Sequence, residues 1–243
     1  MSVSAFRTSI KEVVDQVGLS ESNWTSPLWE EVSGTVDDEV LNDAHVQQEN
    51  VRGIFNGIAM KPREEAKQLP RVQAKVIERR TGNKQFFKAV NDFIAFQVPC
   101  RVPDIASKID QIREVVLAHG GKIELRGAGP GRPYGAFLEP DKVYSDIVQY
   151  VHVYFCKFGY PIEFQVGEEF AFHTFAVDSA RRDYPGCGKV DLWKDGFYGQ
   201  VKRFILDKAN GRDPGQKQPI QDRAAALHQG DVPADLQRIL TAL

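Results

Sequence analysis

Two carboxylates and one basic stretch are the parts of this chain best suited to chemistry. Glu163 stands in the run PIEFQVG, where Ile162, Phe164 and Val166 alternate with Glu163 and Gln165. Period-2 geometry puts Glu163 and Gln165 on one face of a strand and the apolar side chains on the other. Asp92 stands at the start of NDFIAFQVP, where strand propensity disfavours Asp and metal binding would give it a reason. Carboxylates on neighbouring strands suit a hard divalent ion, because Mg²⁺ takes one or two carboxylates and completes its shell with phosphate oxygens and water. Phosphoryl and pyrophosphoryl transfer use such an ion, and a carboxylate can also orient or deprotonate the acceptor hydroxyl. The segment KPREEAKQLPRVQAKVIERRTGNKQ supplies cations, with Arg71, Lys75 and Lys84 available to neutralise a triphosphate. Each of these residues also has a plain structural reading. Asp92 can cap the start of its strand, and Glu163 can pair with an arginine such as Arg126. The basic stretch can be a solvated helix face with Glu64, Glu65 and Glu78 interleaved.

The elements that must position these groups are read from periodicity. Between Asp146 and Phe155 the residues are mostly β-branched or aromatic, and Phe158, Gly159 and Tyr160 form a turn into PIEFQVG, which predicts a hairpin. The polar face of its second strand is either open to solvent or the floor of a site. Phe6, Ile10, Val13, Val14 and Val17 predict an N-terminal helix that Gly18 ends. Pro27 fits the first turn of a short helix, with Trp24 and Trp29 as packing residues. A further helix starts near Thr35 with Asp37, Asp38 and Glu39 in or before its first turn, and runs through Val40, Leu41, Val46, Val51 and Ile54. After the strand NDFIAFQV, Asp104 is placed to cap a helix carrying Ile105, Ile109, Ile112, Val115 and Val116, which Gly120 and Gly121 stop. KIELRGA is a strand, and residues 127–140 are a Gly/Pro-rich loop. EEFAFHTFAVDSARRD and DLWKDGFYGQVKRFILDKANG read as helices, the second capped by Asp191. From Gly211 the chain reads as a polar tether leading to a short terminal helix.

Composition bounds the function classes. The chain has 243 residues, 42% hydrophobic and 26% charged, enough for one sizeable core and an accessory layer. Its net charge of −2 gives no global basic field to recruit DNA or an anionic membrane, so any phosphate-binding charge must be local. Cys100, Cys156 and Cys187 are odd in number and widely spaced, which predicts reduced, buried thiols, and no close Cys/His pair suggests zinc. Neither a signal-type segment nor a membrane-length apolar run is present, so a cytoplasmic protein is expected. The expected organisation is an N-terminal helical region over 1–70, an α/β core over 71–209 and a polar tail over 210–243. The fold class is α+β, with a mixed sheet of about four to five strands flanked by helices.

From about Arg71 to Asp178, the order of these elements resembles the RelA/SpoT-like alarmone synthetase domain of the nucleotidyltransferase superfamily. In that family a basic segment precedes a strand opening on a metal-binding Asp. A later hairpin carries a Tyr-x-Ser motif whose ring stacks on the acceptor base, followed by a Glu-x-Gln strand. NDFIAFQV, YSDIVQY and IEFQVG are similar to those pieces. The resemblance implies a sheet of nucleotidyltransferase type and a Mg²⁺-dependent pyrophosphokinase that moves the diphosphate of ATP to a ribose hydroxyl of a nucleotide. It would make Asp92 a metal ligand, Glu163 the carboxylate serving metal and hydroxyl, Gln165 its neighbour and Tyr144 the stacking ring. Arg71, Lys75, Lys84 and His173 would complete the nucleotide contacts. Val143, Asp146 and Val148 stand where the family has Gly, Ser and His or Gln. Gln97 replaces an Arg, and Val166 and Gly167 stand in place of the Arg after Glu-x-Gln. With that acceptor motif altered, an RNA end is an alternative acceptor, and an inactive nucleotide- or protein-binding module on the same fold is the alternative function.

Overall fold

The alternating run at 161–167 becomes a strand along its whole length, bounded by a proline and a glycine as its punctuation predicts. The computed structural model describes residues 2–19, 31–32, 34–62, 93–125, 147–169, 197–215 and 217–227, with single positions 28, 172, 237 and 241. Among these, β1 (Lys61–Pro62), β2 (Ile94–Pro99), β3 (Lys122–Leu125), β4 (Val148–Tyr154) and β5 (Pro161–Gly167) form one sheet in the order β1-β2-β5-β4-β3. β1 pairs with β2, and β3 with β4, in antiparallel fashion. The Glu168 N–H donates to the Ile147 carbonyl at 3.0 Å, closing the open end of the β4–β5 hairpin. Between β2 and β5 the stacked Phe96 and Phe164 rings, 5.5 Å apart, and the Gln97 and Gln165 side chains advance in step, as parallel neighbours do. The sheet is therefore mixed and open, within an α+β architecture.

The chain divides into two units, one formed by 1–98, 106–136 and 149–166, the other by 99–105, 137–148 and 167–243. In the first, α1 (Val3–Val17) is capped by the Ser2 side chain and ends at Gly18, whose φ of 73° lies in the left-handed region that glycine tolerates. A later helix, α2 (Asp38–Ile54), is capped two residues later than Thr35 suggests, because the Asp37 carboxylate accepts the Val40 N–H at 3.0 Å and is its true cap. Tyr160, at the turn before β5, ties these helices to the sheet. Its hydroxyl donates to Asp43 on α2 at 2.5 Å, while Arg7 of α1 forks onto the same carboxylate. One sheet face is apolar: Ile94, Phe96 and Val98, then Ile162, Phe164 and Val166, then Val151 and Val153 are all fully buried. Phe55, just past α2, contacts Phe164 and Phe155 on that side. The helix α3 (Ile105–Ala118) buries Ile109, Ile112 and Val116, and Gly121 lies so close to Phe155 and Val116 that a Cβ there would come within 2.6 Å of the Phe155 ring.

In the second unit, a 3₁₀ turn at Val102–Asp104 precedes Ile105, and the Glu168 carboxylate accepts the Val102 N–H at 3.0 Å. Farther along this unit lie α4 (Phe197–Ala209), with Phe204 and Ile205 buried, and α5 (Gln218–Leu227), with Ile220 buried. The second of these corrects the tether expected beyond Asn210. Pro219 suits a first helical turn, Ala224, Ala225, Ala226 and Leu227 are strong helix formers, and Ile220 gives the helix an apolar anchor.

Two further expectations need correction. Cys100 is half-buried and Cys156 is exposed rather than buried, the latter because it lies in the turn after β4 and not in the apolar strand beside it. Val46 fits the helical pattern of α2 yet is exposed, since that helix buries Val40, Leu41, Ala44 and Val51 instead. Trp24, Trp29, Cys187, Asp191 and the loop at 127–140 lie outside the described residues. Among the described residues no helix is long and apolar enough to cross a membrane.

Candidate functional site

The face of the sheet opposite the phenylalanines carries polar side chains on four adjacent strands. On β5, Glu163 and Gln165 share that face by parity, and the Gln165 Nε2 donates to Glu163 Oε1 at 2.9 Å. On β2, Gln97 donates its Nε2 to Gln165 Oε1 at 3.5 Å. Counting inward from the bond between Glu168 N and Ile147 O, antiparallel pairing brings His152 of β4 opposite Glu163, and its Nε2 lies 3.6 Å from Glu163 Oε2. Farther along the row, His152 faces Glu124 of β3 as its cross-strand partner, and Glu124 accepts the Leu19 N–H at 3.0 Å just beyond α1. Tyr154, two residues beyond His152 on the same face, buries a hydroxyl that has no hydrogen-bond partner among the described residues, and burial raises its pKa.

The centre of this polar row is enclosed, while Gln97 and Glu124 at its sides are half-buried. Glu163 is 8% exposed, Gln165 5% and His152 2%, so of the two sequence readings of this face the solvent-exposed one is wrong. An ionised carboxylate is costly to bury unless donors face it. Gln165 supplies an amide donor at one oxygen, and His152 stands at ion-pair distance from the other. Both oxygens of Glu163 are thus addressed from fixed strand positions, which orients the carboxylate plane. Such a group can accept a proton, bind a cation or serve as a rigid polar joint.

Of the residues singled out in the sequence, the structure brings together Glu163 and Gln165. Asp92, Arg71, Lys75, Lys84, Tyr144 and His173 lie outside the described residues, as does Arg126, the structural partner suggested for Glu163. Asp92 stands two positions ahead of β2, the strand beside β5.

Mg²⁺ asks for hard oxygen donors in small number. The Glu163 carboxylate and the Gln97 and Gln165 amide oxygens are of that kind, and the donor set fits an ion that draws its remaining ligands from phosphate and water. Among the described residues no group of three or more His, Cys, Asp or Glu side chains gathers into a metal cage.

His152 and Gln97, like Glu124 and Tyr154, are members of the row that sequence reasoning passed over as site residues. His152 sits in an otherwise apolar and aromatic strand, YVHVYF, and its signal was positional. Phe155 and Tyr160 bracket the turn, and counting outward from them reaches His152 and Glu163 together. For Gln97 the signal was parity within β2: it faces away from Ile94, Phe96 and Val98. Set against known families and curated proteins, the chain matches no family model and no curated protein.

Proposed function

We propose that the chain is a Mg²⁺-dependent nucleotide pyrophosphokinase, with ATP as diphosphate donor and a ribose hydroxyl of a nucleotide as acceptor, on a sheet of nucleotidyltransferase type. One observation carries this reading: Glu163 is a nearly enclosed carboxylate, held by Gln165 and facing His152, on the strand beside the one that Asp92 precedes in sequence. In this reaction the acceptor hydroxyl attacks the β-phosphorus of ATP, the bond from that phosphorus to the oxygen bridging to the α-phosphate breaks, and AMP leaves. The hydroxyl proton passes to the Glu163 carboxylate, whose plane Gln165 keeps fixed. Mg²⁺, when held by Asp92 and Glu163, would spread the charge of the migrating diphosphate. Arg71, Lys75 and Lys84 neutralise the triphosphate, Tyr144 stacks on the acceptor base, and His173 adds a nucleotide contact.

Calorimetric titration with ATP, with and without Mg²⁺, tests the proposal. Binding that requires Mg²⁺ and weakens in Asp92→Asn supports it, and protein that ignores ATP under both conditions overturns it. A second reading is favoured by one fact, that both Glu163 oxygens already face chain partners. On that reading the row is a structural network under an inactive nucleotide- or protein-binding face, and turnover decides between the two.

A further inference from the structure

We infer that His152 is a positioning residue for Glu163, an inference that rests on the pyrophosphokinase reading. Three relationships converge on it. The imidazole Nε2 lies 3.6 Å from Glu163 Oε2, while the other oxygen, Oε1, is held by Gln165 at 2.9 Å. One carboxylate oxygen is therefore addressed from its own strand and the other from the neighbouring strand. Two such directions define a plane, whereas the Gln165 bond alone would leave rotation about it free. Across the β3–β4 ladder the backbone partner of His152 is Glu124, whose carboxylate accepts the Leu19 N–H at 3.0 Å. Finally, His152 is 2% exposed in a strand otherwise filled by apolar and aromatic residues, where a Phe or Val would be cheaper to bury than an imidazole. A ring of that polarity facing a carboxylate has a role that packing does not supply.

A base that must meet one hydroxyl in line with a phosphorus depends on its orientation, and a misplacement of about 1 Å can cost about 10²-fold in rate. His152 does not itself touch the nucleotide in this account, so its loss appears in turnover and not in substrate affinity. The variants are His152→Phe, which keeps a ring of similar size, and His152→Gln, which returns a side-chain nitrogen donor toward Glu163. Each is assayed for AMP release from ATP and Mg²⁺ with GDP, GTP, AMP, ADP, ATP and tRNA as acceptors, and each is checked by thermal melting. In parallel, the ¹⁵N-imidazole NMR signal of His152 is compared between wild type and Glu163→Gln.

The inference expects kcat to fall about 10²-fold in His152→Phe with KM for ATP unchanged, about tenfold recovery in His152→Gln, and a His152 Nε2 signal that moves in Glu163→Gln. If wild type turns over and His152→Phe matches it, or loses affinity in proportion to rate, the inference falls alone. An Nε2 signal indifferent to Glu163→Gln overturns it even where the variants fold poorly. Wild type that releases no AMP overturns the pyrophosphokinase reading, and the catalytic meaning of the pair with it.

Discussion

Gln165 donates its side-chain amide to Glu163 Oε1 at 2.9 Å across a single intervening residue, and the two are buried on the same face of one strand. The amide's own oxygen takes the Gln97 donor at 3.5 Å, so its nitrogen is turned toward the carboxylate. Replacing Gln165 by Leu keeps the volume and removes the donor. The variant should be less stable by about 1–3 kcal/mol, the usual penalty for leaving a buried acceptor unmet. Urea denaturation measures this, and a change within about 0.5 kcal/mol would show that Glu163 does not rely on the amide.

Gly167 ends β5 where the backbone runs close to its hairpin partner. A Cβ built on it would lie 2.1 Å from the Ile147 carbonyl oxygen and 2.8 Å from Val148 Cα, both backbone atoms that cannot rotate away. Gly167→Ala should therefore force the hairpin end apart and weaken the neighbouring bond from Glu168 N to Ile147 O, destabilising by roughly 1–3 kcal/mol. Hydrogen exchange at the Glu168 amide should quicken with it. Unchanged protection there would contradict the close approach.

Glu168 predicts a pH dependence. Burial raises its carboxyl pKa above the ordinary 4.5, with the Val102 N–H, Arg101 and Lys208 opposing and Asp104 adding to the rise. A carboxyl raised on folding stabilises the protein most fully below its unfolded pKa, and that contribution is lost as pH rises through the folded value. Glu168→Gln keeps an oxygen for Val102 and abolishes the titration. The stability of wild type relative to this variant should thus decline between pH 4.5 and neutrality. Denaturation midpoints that run parallel across that range would refute the raised carboxyl.

How much of this was legible in sequence depended on how local the signal was. α1 and β5 were readable because a 3.6 or 2.0 period, bounded by Gly or Pro, is written in consecutive residues. The helix at Gln218–Leu227 was missed because Gly, Pro and Gln dominate its surroundings and mask an alanine run with a single apolar anchor. In the site, Glu163 and Gln165 stood out as polar residues in an alternating strand. Whether their face was open or enclosed depends on what covers the sheet, which periodicity does not encode. His152 depended on hairpin register, a non-local quantity, and within an aromatic run the imidazole looked like strand filler. Tyr160 joins two helices to the sheet through Asp43 and was legible only as a turn residue, since its partner is more than a hundred positions away.

The central claim is that Glu163 is the base of a pyrophosphoryl transfer, and turnover tests it most directly. Wild type and Glu163→Gln are incubated with α-labelled ATP, to follow AMP, and with γ-labelled ATP, to follow the transferred diphosphate, together with Mg²⁺ and the acceptors GDP, GTP, AMP, ADP, ATP and tRNA, and the products are resolved while ATP affinity is measured alongside. The amide keeps the shape of the carboxylate but loses its basicity, so the account predicts AMP release by wild type with at least one acceptor and a loss of about 10² or more in Glu163→Gln, with fold and most ATP affinity retained. Tyr144→Ala should instead raise the acceptor's KM, by the roughly 1–3 kcal/mol that a stacking platform supplies. Absence of AMP release from folded wild-type protein with every acceptor, or full activity in Glu163→Gln, would contradict the account.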